Sequence, residues 1–224
     1  MKPGELKRAA ILRISLGVLV WGALFFGTAG TLRYWEAWLF LAILFTPMLF
    51  IGGYLIRHDP ELAQRRLRSR EERPKQKAVQ KLAALLWSVG FIIPGLDERF
   101  GWSSVPGPVV VAADLLVLAG YLLFFLVLKE NSYAGRTIQV EEGQSVINTG
   151  PYARVRHPMY TGVSLMMLFA PLALGSWWAA LLMLATPFFL IIRIKDEEEA
   201  LLEELPGYRE YTEQTRHRLI PGVW

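Results

Sequence analysis

The 224-residue chain contains no cysteine and only three histidines. Without cysteine it has no disulfide, no thiolate nucleophile and no cysteine-ligated metal. His58, His157 and His217 lie far apart and lack the short spacing of metal ligands, so we predict that no metal is bound. The net charge is only +4, and the basic residues lie between apolar blocks. We therefore expect no nucleic-acid partner, which would call for a basic patch or stripe.

Long apolar blocks dominate the chain, of which 53% is hydrophobic. Such blocks, with few charges and most of them about 18–22 residues long, have about the length that crosses a bilayer as a helix. Four lie within residues 1–128, at about 11–29, 38–56, 82–96 and 108–128. The first is longer than the apolar part of a signal peptide and lacks a cleavage site, so we expect a membrane helix there. The sequence predicts an all-α, polytopic integral membrane protein surrounded by lipid.

The C-terminal half has a different pattern. A long polar connection is followed by apolar sequence over about 159–194, which is too long for one crossing and is interrupted at Gly175. This pattern predicts a helical hairpin, and therefore about six membrane segments in total. We divide the chain into four transmembrane helices (1–128) and a region of loop, hairpin and tail (129–224).

Loop charge predicts the orientation in the membrane. Eight Lys or Arg residues lie between Arg57 and Lys77, whereas the loops at 30–36 and 97–107 contain one basic residue each. Six crossings place every basic segment on one side, which the positive-inside rule makes the cytoplasmic side. We expect a protein of the cell (inner) membrane with both termini in the cytoplasm.

A polar cluster, "TGPYARVRHPMYTG" at 149–162, directly precedes the hairpin. Arg154 and Arg156 are permanent cations that can hold a carboxylate or a phosphate. His157 can donate or accept a hydrogen bond. Tyr152 and Tyr160 offer aromatic faces suited to an adenine ring or a sulfonium ion. Each residue alone is also typical of a membrane-interface anchor, but the cluster as a whole favours a functional site.

Acidic residues follow the hairpin over 196–199, in the stretch "DEEE". Adjacent helical positions differ by about 100°, so these side chains cannot all face one site. We expect one or two to turn inward towards ribose hydroxyls or a cationic amino group, although such a stretch is also typical of a solvated helical face. The helix should end near Pro206–Gly207, with Tyr208 and Tyr211 closing over the same surface.

Together, "GPYARVRHPMYTG", the apolar hairpin and "DEEEALLEELPGYREYTEQTRHRLIP" resemble the isoprenylcysteine carboxyl methyltransferase family. The wider group includes phospholipid N-methyltransferases. The resemblance covers about residues 129–224. It implies S-adenosylmethionine as the methyl donor and a lipophilic methyl acceptor, either a prenylcysteine-like carboxylate or a lipid headgroup.

The resemblance also implies site residues. Those implied for cofactor binding are Gly150, Pro151, Tyr152, His157, Pro158, Tyr160, Gly162, Glu197, Glu198, Tyr208 and Tyr211, with Arg136 and Gln139 from the preceding "NSYAGRTIQV". We assign catalytic roles to Arg156, His157 and Glu198. They would hold an anionic group of the acceptor or accept a proton from an amine acceptor.

Two other functions remain open. Membrane sterol and steroid reductases have a similar RHP-type loop and use NADPH, but the acidic stretch after the hairpin is more similar to the methyltransferases. A non-catalytic membrane scaffold is the third hypothesis, and the intact two-part motif disfavours it.

Overall fold

The computed structural model describes residues 3–67, 74–135, 140 and 143–224. Within these ranges the secondary structure is helical and includes no strand. The helices are α1 (Pro3–Ala29), α2 (Trp35–His58), α3 (Pro60–Leu67), α4 (Pro74–Phe100), α5 (Gly107–Glu130), α6 (Pro158–Ala173), α7 (Trp177–Met183), α8 (Thr186–Glu204) and α9 (Tyr208–Gln214), with a single short turn of helix at Gly150–Ala153.

Among the described residues, five helical stretches are long and apolar enough to cross a membrane: α1, α2, α4, α5 and the pair α7–α8. The prediction of an all-α, multi-pass membrane protein is confirmed. The hairpin is present as well, because α6 and α7 flank a turn in which Gly175 has a φ of +75°. Its first arm, α6, has only 16 residues. At 1.5 Å per residue this is about 24 Å, shorter than the roughly 30 Å hydrocarbon core.

Helix boundaries differ from the predicted blocks, and the first span begins at Pro3 instead of about residue 11. The third span begins at Pro74 instead of about residue 82, because the polar residues before it are good helix formers. A short helix, α3, lies in the basic segment where none was predicted. The second arm of the hairpin breaks between α7 and α8, just before Pro187, whose ring favours the first turn of a new helix. The predicted stop before Pro206 is confirmed.

Two glycines set the distance between α5 and α6. A Cβ on Gly162 would lie 2.9 Å from the carbonyl oxygen of Gly120, and a Cβ on Gly120 would lie 2.7 Å from that of Gly162. Neither backbone atom can move aside easily, so only glycine fits at this crossing. Small residues allow such close approach between membrane helices. The crossing fixes the start of α6 against α5.

At the opposite end of the hairpin, a buried polar network ties its turn to α4. Asp97 accepts hydrogen bonds from the backbone N–H and the hydroxyl of Ser103, each at 2.6 Å, and from the hydroxyl of Ser176. Trp177 donates its backbone N–H to the hydroxyl of Ser103 at 3.2 Å. The network holds the turn where α7 begins.

Replacing Asp97 with alanine should therefore destabilise the protein. The buried hydroxyl of Ser176 and the partly buried donors of Ser103 would lose their acceptor, which lowers the free energy of unfolding by about 2 kcal/mol. The measurement is the thermal unfolding midpoint in detergent. Glu98→Ala is the control, because Glu98 is the exposed neighbour on the same helix. Equal midpoints for the two variants would contradict a structural role of the Asp97 carboxyl group.

Candidate active site

A polar cavity lies at the membrane face where α5 ends and α6 begins. It has an empty volume of about 900 Å³, including its mouth open to solvent. The predicted residues that line it are Tyr152, Arg156, His157, Pro158, Tyr160, Glu197, Tyr208 and Tyr211. Sequence reasoning missed other lining residues, among them Asn131, Tyr133, Ala134, Gly135 and Arg193. The two parts of the sequence motif therefore line one cavity.

The loop before α6 (residues 154–157, hereafter the RHP loop) pairs with the C-terminal tail (residues 215–224). The backbone N–H of Arg156 donates to the carbonyl of His217, and that of His157 donates to the carbonyl of Arg218, both at 2.9 Å. Arg156 also donates through Nη1 to the carbonyls of Thr215 and Arg216, at 2.9 and 3.0 Å. The tail thus lies along the loop and closes one side of the site.

Glu198 joins α8 to both of these segments. Its carboxylate accepts hydrogen bonds from Nε of Arg156 and Nε of Arg218, each at 2.7 Å, and lies 3.2 Å from Nε2 of His157. Only 6% of Glu198 and 8% of Arg156 is exposed. Glu198 is not among the residues that line the cavity. Its geometry is that of a buried ionic junction behind the cavity wall.

Glu197, the adjacent residue, does line the cavity. The hydroxyl of Tyr160 donates to Oε2 of Glu197 at 2.5 Å and accepts from Nε of Arg193 at 2.8 Å. Arg193 and Glu197 are four residues apart and therefore share one face of α8. That spacing is a signal in the sequence from which Arg193 could have been predicted.

Three tyrosines form the aromatic side of the cavity. The hydroxyl of Tyr211 donates to the carbonyl of Tyr152 at 2.8 Å, and the amide of Asn131 donates to the hydroxyl of Tyr152 at 2.9 Å. Tyr208 is only 4% exposed, and its hydroxyl has no hydrogen-bond partner among the described residues. Burial raises the pKa of Tyr208 and of Tyr152, and it raises that of Tyr211 to about 12. All three therefore remain protonated at neutral pH, and the unpaired hydroxyl of Tyr208 is suited to a polar ligand.

Of the other predicted site residues, Gly150, Pro151 and Gly162 lie in a turn or at a helix crossing. Gly150 has a φ of +55°, and a Cβ there would lie 3.0 Å from Cδ of Glu130; with Pro151 it forms the turn before the RHP loop. Gly162 lies at the helix crossing described above. Arg136 and Gln139 lie outside the described residues.

Residues 109–209, from the first turn of α5 into α9, match the sequence model of the phospholipid methyltransferase family. That family lies in the group related to isoprenylcysteine carboxyl methyltransferases, so the resemblance seen in the sequence is confirmed. The match supports a membrane methyltransferase. None of the curated proteins compared matches the chain.

An apolar groove lies beside the polar cavity, with an empty volume of about 1130 Å³ including its open side. Trp87 from α4, Phe124 from α5, Val163 from α6 and Leu190 from α8 are among its lining residues. The α4 wall and Arg66 of α3 lie outside the segment that matches the phospholipid methyltransferase family. Four residues line both the groove and the polar cavity: Gly135, Met159, Tyr160 and Arg193. The groove and the cavity are therefore adjacent and share these residues as a common wall.

The short helix α3, also outside the matched segment, holds the rim of both spaces. Nη1 of Arg66 donates to the carbonyl of Ala134 at 2.7 Å, and its guanidinium lies 4.7 Å from the ring centre of Phe124. Arg65 donates to the carbonyl of Ser132 at 2.7 Å. From loop charge alone, the predicted role of this segment was to determine the orientation of the protein in the membrane. The contacts show that it also fixes the loop that borders the site.

Proposed function

We propose that the protein is an S-adenosylmethionine-dependent methyltransferase that acts on a lipophilic acceptor at the cytoplasmic face of the membrane. The polar cavity would hold the cofactor, and the apolar groove would admit the acceptor from the bilayer. The observation that carries this proposal is the shared wall of Tyr160 and Arg193 between the two spaces, in a segment of the phospholipid methyltransferase family.

The residues of the polar cavity suit the chemical groups of S-adenosylmethionine. Glu197 is the one carboxylate among the described lining residues, and it would attract the ammonium or sulfonium charge. Tyr152 and Tyr211 offer aromatic faces for the adenine ring or the sulfonium ion. The unpartnered hydroxyl of Tyr208 would find a hydrogen-bond partner on the ligand.

S-adenosylmethionine, when bound, supplies a methyl group on positively charged sulfur. The contribution of the protein to such an in-line displacement is alignment of the reactants and exclusion of water. Arg193 lies where groove and cavity meet, and would hold an anionic group of the acceptor. A carboxylate acceptor needs no base. An amine acceptor would first release a proton, which Glu197 or His157 in the cavity wall can accept.

The geometry favours different roles for the three residues that were assigned to catalysis. We propose His157, which lines the cavity, as a candidate for direct contact with cofactor or acceptor. Arg156 and Glu198 engage each other and the tail, and we propose that they position the RHP loop. Arg193 replaces them as the candidate anion-binding residue.

Binding measurements on detergent-purified protein test the proposed function. Saturable binding of S-adenosylmethionine and of its demethylated product is expected. Binding of NADPH without either would overturn the proposal in favour of a reductase, and binding of none of the three would favour a scaffold. Transfer of a labelled methyl group into a lipid extract would then identify the acceptor. Label released by mild base would indicate a methyl ester, and base-stable label would indicate an N-methyl product.

A pair of tyrosine variants tests the cavity assignment. Tyr208→Phe should leave the unfolding midpoint unchanged, because the lost hydroxyl has no partner among the described residues. It should weaken S-adenosylmethionine binding up to about tenfold, the loss expected for one hydrogen bond. Tyr211→Phe is the matched variant, because it removes the hydrogen bond to the Tyr152 carbonyl and should lower the midpoint. Unchanged binding in Tyr208→Phe would place the ligand away from this hydroxyl.

A further inference from the structure

Near the end of the tail, the loop Ile220–Val223 exposes large apolar side chains. Ile220 is 52% exposed and Val223 is 76% exposed. Gly222 turns the chain between them with a φ of +79°. These residues follow the polar and charged sequence of α9, and nothing in the described part of the chain covers them. An exposed apolar patch rimmed by polar residues marks an interaction surface.

The loop lies beside the first turn of α6, because the hydroxyl of Thr161 donates to the carbonyl of Leu219 at 2.9 Å. The crossing of Gly120 and Gly162 gives the depth of this turn. Gly120 lies ten residues before the end of α5 at Glu130, or about 15 Å along the helix. Gly162 lies four residues after the start of α6, or about 6 Å. For antiparallel neighbours, α6 then begins about 9 Å deeper in the membrane than α5 ends.

The lengths of the helices lead to the same depth. With about 24 Å of helix, α6 cannot cross the whole hydrocarbon core of about 30 Å. The neighbouring helix α5 has 24 residues, about 36 Å, and exceeds that core by about 6 Å. A helix that begins about 9 Å deeper than the end of α5 therefore has its first turn, and the tail loop against it, near the boundary between acyl chains and headgroups. At that depth lipid is the partner available to cover Ile220 and Val223.

We propose that Ile220–Val223 inserts into the acyl–headgroup boundary and anchors the tail to the bilayer. The residues around the loop suit that position. The guanidinium of Arg218 lies 5.2 Å from the ring centre of Trp224, and Arg216 is exposed nearby. Tryptophan and basic residues are enriched at the membrane interface, and exposed arginines favour anionic headgroups. The partner is thus a lipid surface, not another protein.

The anchor is connected to the site through Arg218. This residue contacts Trp224 on one side and donates to Glu198 on the other, while its carbonyl accepts from His157. Insertion of the loop would therefore hold the tail against the RHP loop and stabilise one wall of the polar cavity. This consequence for ligand binding rests on the proposed function, whereas the depth of the loop does not.

Single cysteines can measure the depth, because the chain contains none of its own. Val223→Cys and, as a second position in the loop, Ile220→Cys would be nitroxide-labelled in the full chain. The protein would be reconstituted into vesicles of phosphatidylcholine and phosphatidylglycerol. Leu122→Cys on the exposed face of α5 provides the lipid reference, and Glu213→Cys on α9 provides the water reference.

If the loop is anchored in the bilayer, the nitroxide labels at 223 and 220 should collide with oxygen more often than with a water-soluble nickel complex. The label at 122 should show the same preference. Collision ratios matching those at 213 would overturn the proposal.

Val223→Asp should also weaken S-adenosylmethionine binding up to about tenfold in vesicles, with Val223→Leu unchanged. Equal affinities of the two variants would show that the anchor does not act on the site. Failure of the wild-type protein to bind this ligand would count against the proposed function and leave the collision measurement decisive for the anchor.

Discussion

Glu198→Ala is expected to abolish binding in the polar cavity and to lower the unfolding midpoint strongly. The substitution leaves Arg156 buried without its carboxylate partner and releases Arg218 from α8. Removal of one member of a buried ion pair costs about 3–5 kcal/mol, because the remaining charge stays desolvated. The RHP loop and the tail would then separate from α8. Thermal unfolding and S-adenosylmethionine titration, both in detergent, measure the two effects.

Glu199→Ala is the matched control, because Glu199 is the exposed neighbour on the same helix. It should leave both the midpoint and the affinity unchanged. Glu198→Gln should lie between the two alanine variants, since its amide oxygen can accept one of the two arginine hydrogen bonds but its NH₂ group cannot accept the other. A Glu198→Ala protein that matches Glu199→Ala in midpoint and affinity would refute the structural role assigned to this carboxylate.

The sequence was sufficient for the membrane architecture because spans depend on length and composition. Apolar blocks and the interruption at Gly175 predicted the hairpin correctly. They did not predict α3, because a charged eight-residue helix has no apolar block. An isolated helix of that length is also unstable in water, so contacts such as that of Arg66 with Ala134 support it. The apolar block alone did not predict the break before Pro187, because proline also occurs inside membrane helices, as at Pro47 and Pro171.

The location of the candidate site could be predicted from the sequence, but the separate roles of its residues could not. The motif predicted that His157, Tyr160 and the acidic stretch lie close together, and His157, Tyr160 and Glu197 line one cavity. It could not separate the roles of Glu197 and Glu198, because neighbouring residues point about 100° apart and the rotation of α8 depends on packing. Gly162 shows the same limit. A glycine in a motif is compatible with close approach of a ligand or of a helix, and only the position of Gly120 distinguishes the two.

Glu197→Gln is expected to have the opposite profile to Glu198→Ala. Its midpoint should change little, because the amide oxygen can still accept the hydrogen bond from Tyr160. S-adenosylmethionine binding should fall about 10- to 100-fold, since a hydrogen bond to a charged group contributes about 1.5–3 kcal/mol.

Titration with the demethylated product separates the two positive charges of the cofactor, because the product keeps the ammonium group and lacks the sulfonium. An equal loss for both ligands would mean that Glu197 contacts the ammonium, and a loss confined to S-adenosylmethionine would mean that it faces the sulfonium. Normal binding of both would exclude Glu197 from the cofactor site. No other carboxylate is among the described residues that line the cavity.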